Sequence, residues 1–279
     1  MEATRLTGGE AITVGGFIVE SEHGEVEMMV RGMFRVVAGA VACVCLVAGG
    51  GCGGASGGAS PSSSSAGASQ QSSSRQGEEK IASSLEERAK FLLDYKDKEY
   101  ARSDEQTAML QRAVDNGGVV SRADYEAAWN NYKQCLVDKG YVAPQLVTYP
   151  NGIHDLPRGD PSVRLSTEQS KRLTQDEVYC YSVYTINVND LYNLAFANDA
   201  LLTDSQQAIV DCFHKQGLMP VSYTKEQYLK EWDEYGETGD MTVFSFDPLD
   251  MGIRECQTAN GMGVDYGPND NLPTWKPFG

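Results

Sequence analysis

Histidine is nearly missing from this sequence. Three occur in 279 residues, and only His154 and His214 fall in the part that reads as foldable, so a multi-histidine metal site is excluded. Long apolar runs are missing too. The longest, Val36 to Ala48, has 13 residues, short of the roughly 20 that a membrane-spanning helix needs. Positive charge is scarce, with 23 Lys and Arg against 39 Asp and Glu and a net charge of −16. Such a surface repels phosphate, which argues against a nucleic-acid partner and against adhesion to anionic lipid through a basic face. The alternation of strands and helices that a two-lobed α/β solute binder requires is also lacking.

What is present begins with an unusual N-terminal third. Met1 to Glu27 is acidic and shows no helical or strand period, so residues 1–27 read as a disordered extension or as a start placed too early. Residues 28–51 then follow the outline of a signal peptide: Arg31 and Arg35, the apolar run, and small residues Gly49 to Gly51 leading into Cys52. Cys52 after small residues resembles the lipobox of bacterial lipoproteins, in which the cysteine receives a diacylglyceryl group and becomes the new N-terminus. The match departs from that pattern at Gly49, where leucine is usual, and ordinary secretion without lipid is the competing reading. Gly53 to Ser74 is 22 uncharged residues of Gly, Ala, Ser, Pro and Gln. A stretch that cannot bury a core serves as a tether, with ends on the order of 25 Å apart. Residues 52–77 are therefore assigned as lipidated cysteine plus tether. The G-x-G-x-x-G from Gly49 and the G-x-S-x-G around Ser56 fall inside this low-complexity stretch, with no strand before or helix after them, and carry no chemistry.

Residues 78–279 read as an all-α domain. Ile81, Leu85, Ala89, Leu92 and Tyr95 recur at spacings of three and four, the period of one buried helix face. Ser103 with Gln106 predicts a capping box, Asn116-Gly117 a helix stop, and Ser121 with Asp124 the start of a helix carrying Tyr125, Ala128, Trp129, Tyr132 and Cys135. Thr174 with Glu177 predicts a start for a helix through Cys180 toward Leu194, although Val178 to Val188 is rich enough in β-branched and aromatic residues to be extended. Asp204 with Gln207, Thr224 with Gln227, and the segment around Ile253 and Cys256 predict three more helices. Gln145 to Pro161 reads as a proline-containing loop too polar for the core.

Cysteine spacing is the sharpest signal. With Cys43, Cys45 and Cys52 assigned to export and anchoring, four remain, and an even number in an oxidising compartment predicts two disulfides. Cys135 to Cys180 is 45 residues and Cys212 to Cys256 is 44, while the leading cysteines are 77 apart and the trailing ones 76. The equality points to a duplicated unit. Cys135-x4-Gly140-Tyr141 and Cys212-x4-Gly217-Leu218 share one pattern, with Pro144 and Pro220 beyond. Of three possible connectivities the repeat favours Cys135 with Cys180 and Cys212 with Cys256. The fold expected is two disulfide-stapled helix-hairpin repeats, roughly 121–200 and 201–265, preceded by an N-terminal helical segment and followed by a tail, 266–279.

Leu110 to Tyr141, with its amphipathic helix, Asn-Gly turn, Ser-x-Ala-Asp-Tyr-Glu and Tyr132-x-x-Cys135 before Gly140-Tyr141, resembles a widespread set of uncharacterised actinobacterial cell-envelope lipoproteins. The second Cys-x4-Gly segment resembles them too. The resemblance implies a lipoprotein of the envelope and transfers no catalytic residue.

No catalytic residue, metal ligand or cofactor is assigned from the sequence. Asp115-Asn116-Gly117 faintly resembles a calcium loop, but that register puts Arg112, Val114 and Ala123 at ligand positions, and a helix-to-helix turn explains it better. His214 reads as a partner of its helix's terminal carbonyls. Asp233, Glu234, Glu237 and Asp240 read as a solvated acidic loop, and Tyr179, Tyr181 and Tyr184 as core and rim. The tail from Gly267 through Trp275 to Phe278 either packs back or binds a partner. The expectation is a lipid-anchored protein on the extracytoplasmic face of the cell membrane, a non-catalytic binding or structural module with an envelope protein or cell-wall component as its partner. The alternative is an envelope hydrolase using an Asp/Glu pair.

Overall fold

The computed structural model describes residues 10–14, 17–21, 78–264, 266–267 and 270–279. The expected signal peptide, Cys52 and the tether lie outside the described residues. Glu10–Val14 (β1) and Phe17–Ser21 (β2) pair antiparallel, with Val14 opposite Phe17. This corrects the expectation that residues 1–27 carry no strand signal. Two short β-branched runs flank Gly15-Gly16, a dipeptide suited to a two-residue hairpin connection.

Eight α-helices follow among the described residues, and most start where a short polar side chain takes up free N–H groups. Ser84 caps α1 (Leu85–Asp94), Ser103 caps α2 (Asp104–Asp115), Ser121 caps α3 (Arg122–Asp138) and Ser166 caps α4 (Thr167–Tyr184). After α5 (Ile186–Ala197), Asp204 caps α6 (Ser205–Lys215), Thr224 caps α7 (Lys225–Thr238) and Asp250 caps α8 (Met251–Ala259).

Two predicted starts need correction. Thr174 lies inside α4, not at its beginning. The helix opens at Ser166, where Ser166 and Gln169 form the reciprocal pair of a capping box. Val178 to Val188 is helical except for a break at Thr185, whose hydroxyl donates to the Ala128 carbonyl of α3 at 3.0 Å. Helix packing thus overrides the extended propensity of that stretch. At Ser103 only half the predicted box forms. The Gln106 side chain turns away from the cap, donates to the Val183 carbonyl at 2.7 Å and accepts from the Asn187 N–H, tying α2 to the α4–α5 junction.

The segment Gln145 to Pro161 is not a surface loop. It holds a hairpin, β3 (Leu146–Thr148) and β4 (His154–Pro157), turned at Asn151-Gly152, with Gly152 at φ +82°. Val147, Tyr149 and Ile153 are buried and form a small core of their own. The polar appearance misled because the apolar residues alternate with polar ones, as one buried face of a two-stranded ribbon requires.

Two larger cores lie along the chain. One gathers α1 to α5 around Tyr125, Trp129, Tyr132 and Leu136. The other gathers α6, α7 and α8 around Phe213, Tyr228 and Ile253. Each is crossed by one disulfide, Cys135–Cys180 joining α3 to α4 and Cys212–Cys256 joining α6 to α8, both with Cα atoms 5.7 Å apart. The duplicated C-terminal stops also match. Gly140 and Gly217 take left-handed φ, and the N–H groups of Tyr141 and Leu218 reach back to the Leu136 and Phe213 carbonyls. The connection between stapled helices differs: the β3–β4 hairpin in the first unit, α7 in the second. The tail packs back, with the buried Trp275 donating its ring N–H to the Val142 carbonyl at 2.8 Å and Phe278 edge-on to Tyr141.

Candidate functional site

The positions one helical turn before each cysteine can be compared between the two units. In the second unit they are Ile209 and Ile253, each 2% exposed. In the first unit the same positions, three before Cys135 and three before Cys180, hold Tyr132 and Glu177. The matching places in the repeat thus carry aliphatic side chains in one half, and a phenol and a carboxyl in the other. The spacing that reveals the repeat also marks this difference, which a reading of Tyr132 as an apolar-face residue passes over.

The polar pair is poorly satisfied. Tyr132 is fully buried, and its hydroxyl has no hydrogen-bond partner. The Trp129 ring N–H beside it is also buried without a partner. Glu177 has no hydrogen bond or ion pair among the described residues, whereas its neighbour Asp176 pairs with Lys139 at 2.7 Å and accepts from Tyr141 at 2.8 Å. An unpartnered buried polar group costs about 1–3 kcal/mol, so the arrangement is not explained by stability. Glu177 keeps some contact with solvent, yet burial pushes its carboxyl up to about 8. Burial first, then Glu177, Tyr181 and Asp155, holds the Tyr132 phenol far above its ordinary value.

Aromatic rings pack edge-on against Tyr132. Trp129 lies 5.6 Å from Tyr132 and 5.7 Å from Tyr181 between ring centroids, and Tyr132 lies 6.2 Å from Tyr181. A hydrogen-bonded chain fixes the neighbouring wall. The His154 N–H donates to the Tyr125 hydroxyl at 2.8 Å, that hydroxyl donates to Asn189 Oδ1 at 3.2 Å, and Asn189 Nδ2 donates to the Tyr181 hydroxyl at 3.0 Å. The His154 ring stacks on Tyr125 and sits 2.9 Å from Glu126, with Thr148 at its other nitrogen, so both nitrogens are engaged.

Asp155, on β4, is the second carboxyl of the region. Burial raises it above the usual carboxylate range, but one oxygen accepts from the Leu156 N–H at 2.7 Å and the other from the Tyr266 hydroxyl at 3.0 Å. Tyr266 in turn meets Tyr149, which lies 2.8 Å from the Thr258 hydroxyl of α8. Asp155 therefore belongs to a chain joining the hairpin to the second unit. A pocket of about 270 Å³ lies along that seam, lined by Asn151, Leu218, Asp250 and Glu255 among others. Its polar floor is occupied, since Glu255 accepts from Asn151 at 3.0 and 2.8 Å.

The remaining sequence candidates settle as structure. All four cysteines of residues 78–279 are consumed in the pairing the repeat favoured. Asn116-Gly117 is a helix-to-helix turn. His214 lies 2.9 Å from the Tyr223 carbonyl, so it pins the following loop rather than its own helix's terminal carbonyls. Asp233, Glu234 and Glu237 are solvated, but on α7 instead of in a loop, and Asp240 caps a 3₁₀ turn. Tyr179 is exposed at the rim, while Tyr181 and Tyr184 pack on the first core. Among the described residues no helix is long and apolar enough to cross a membrane, and no group of three or more His, Cys, Asp or Glu is placed to hold a metal ion. No family model, curated protein or solved structure matches this chain.

Proposed function

We propose that this is an exported protein, lipid-anchored through Cys52 on the extracytoplasmic face of a bacterial cell membrane and akin to the actinobacterial lipoproteins it resembles. Its helical domain is a non-catalytic binding module for an envelope protein or cell-wall component. The observation that carries the reading is the complete pairing of the domain's four cysteines in two buried disulfides, which persist outside the reducing cytosol. The leader-like segment before Cys52 supplies the address, and the charge-free tether the reach. The unmatched Tyr132 and Glu177 support binding as the domain's task.

A hydrolase using Asp155 and Glu177 is the second reading, since both carboxyls bear on Tyr132. Binding is favoured because both Asp155 oxygens are already engaged, leaving one free carboxyl where general acid and base chemistry uses two groups. The test is detergent-phase partition of the full chain produced in a bacterium that processes lipoproteins. Wild type is expected in the detergent phase and Cys52→Ala in the aqueous phase or the medium. Membrane retention of Cys52→Ala, or a cytosolic wild type with free thiols, would overturn the proposal.

A further inference from the structure

We propose that the groove on the first unit between residues 141–142 and 158–160 recognises an extended, tryptophan-bearing segment of a partner protein, and that the tail, residues 271–279, is its resident competitor. The proposal rests on reading the domain as a binding module and names the kind of partner it takes.

The seated tail shows what the groove reads. Trp275 and Pro277 are buried while Thr274, Lys276 and Phe278 face outward, the alternation of an extended strand. The Trp275 N–H donates to the Arg158 carbonyl at 2.7 Å, the Asp160 N–H to the Trp275 carbonyl at 3.0 Å, and the Val142 N–H to the Pro277 carbonyl at 2.9 Å. Such main-chain bonds accept any extended segment, and side-chain pockets do the choosing. Here the pocket is the slot that holds the Trp275 indole 2% exposed, with its ring N–H on the Val142 carbonyl. Asp160 adds a second preference, meeting the Thr274 hydroxyl at 3.2 Å and the Lys276 ammonium at 3.5 Å. The walls keep their shape through bonds that do not involve the tail: the Tyr141 N–H reaches the Leu136 carbonyl, its hydroxyl donates to Asp176, and Asp160 accepts from the Ser162 N–H. The repeat provides the contrast. Met219, at the place matching Val142, turns its N–H back to the Phe213 carbonyl of its own unit, so the first unit alone offers that donor to another segment. The tail fills the groove imperfectly, with Phe278 39% exposed and Lys276 held at the longer distance. A second copy's tail brings the same contacts and competes with a joined tail at an effective concentration on the order of millimolar. A partner segment that sets its cation closer to Asp160 is the occupant that gains.

Calorimetry of the full chain in detergent micelles, titrated with a synthetic peptide of residues 271–279, tests this. Trp275→Ala, which empties the slot, is expected to bind the peptide, and wild type to bind it at least about tenfold more weakly because the joined tail competes. The same peptide with alanine in place of tryptophan should bind the emptied chain at least about tenfold more weakly, as loss of a buried aromatic anchor implies. Adding Asp160→Asn to Trp275→Ala should weaken the peptide by about threefold, whereas adding Glu234→Gln, on the solvated face of α7, should not. Lys276→Ala/Phe278→Ala trims only exposed side chains, so it keeps the test open should Trp275→Ala fail to fold, and it should bind the peptide more tightly than wild type. Absence of binding by these variants when folded, equal binding of the alanine peptide, or wild-type binding as tight as that of the emptied chain would each overturn the proposal. Dimerisation of wild type that Trp275→Ala abolishes would give the groove to a second copy and overturn it as well. Failure here leaves the anchoring test at Cys52 untouched, and failure there leaves this one untouched.

Discussion

A carboxyl without a partner, set one turn from a disulfide, is a thermodynamic burden that shows in pH dependence. Glu177 stands near 8 in the folded chain against an ordinary 4.5. Its folded value is raised, so its contribution is fully present below about 4.5 and is lost as pH climbs toward 8, because the unfolded chain releases that proton earlier. Glu177→Gln removes the titration. The urea midpoints of variant and wild type should therefore diverge between pH 5 and 8 in the variant's favour, by on the order of 2 kcal/mol once partial solvent contact is discounted. Parallel curves would show that Glu177 is not desolvated. Tyr132 was visible in the sequence as one of a buried stripe, and its phenol was not, because periodicity reports which face is inside and nothing about who meets the hydroxyl.

At the scale of elements, the caps were the most legible feature. Ser103, Ser121, Asp204 and Thr224 each begin the helix that their spacing to the next polar residue predicts, because capping is decided within four residues of chain. Elements whose stability comes from distant contacts were misread: the β3–β4 hairpin, held by Tyr125 and Glu255, and the opening of α4. The turn between α2 and α3 depends on both kinds of information. Gly117 and Gly118 have φ of +67° and +89°, but only at Gly118 would a Cβ strike the backbone of Leu85 and Glu86 in α1. Gly117→Ala should cost about 1 kcal/mol, the strain of a left-handed alanine. Gly118→Ala should cost about 3 kcal/mol or more, since backbone has to move. Equal losses in urea denaturation would mean that α1 does not rest on this turn.

For the molecule as a whole, two cores with one covalent staple each define the architecture. Closing loops of 45 and 44 residues stabilises each unit by up to about 4 kcal/mol on the chain-entropy account. The paired replacements Cys135→Ala/Cys180→Ala and Cys212→Ala/Cys256→Ala should each lower stability by about 2–4 kcal/mol, read as a shift in denaturant midpoint. Should either double variant match wild type, that bridge contributes no constraint. The sequence by itself determined the helical class, the tandem pairing of thiols and the repeat, because composition, caps and cysteine spacing are local or countable properties of the chain. Only the tertiary structure decided that the tail closes over the first core, that a hairpin joins the two units, and that the buried Tyr132 hydroxyl goes unsatisfied. Those outcomes depend on which surfaces meet across many tens of residues, and no periodicity along one strand of chain encodes the partner on another.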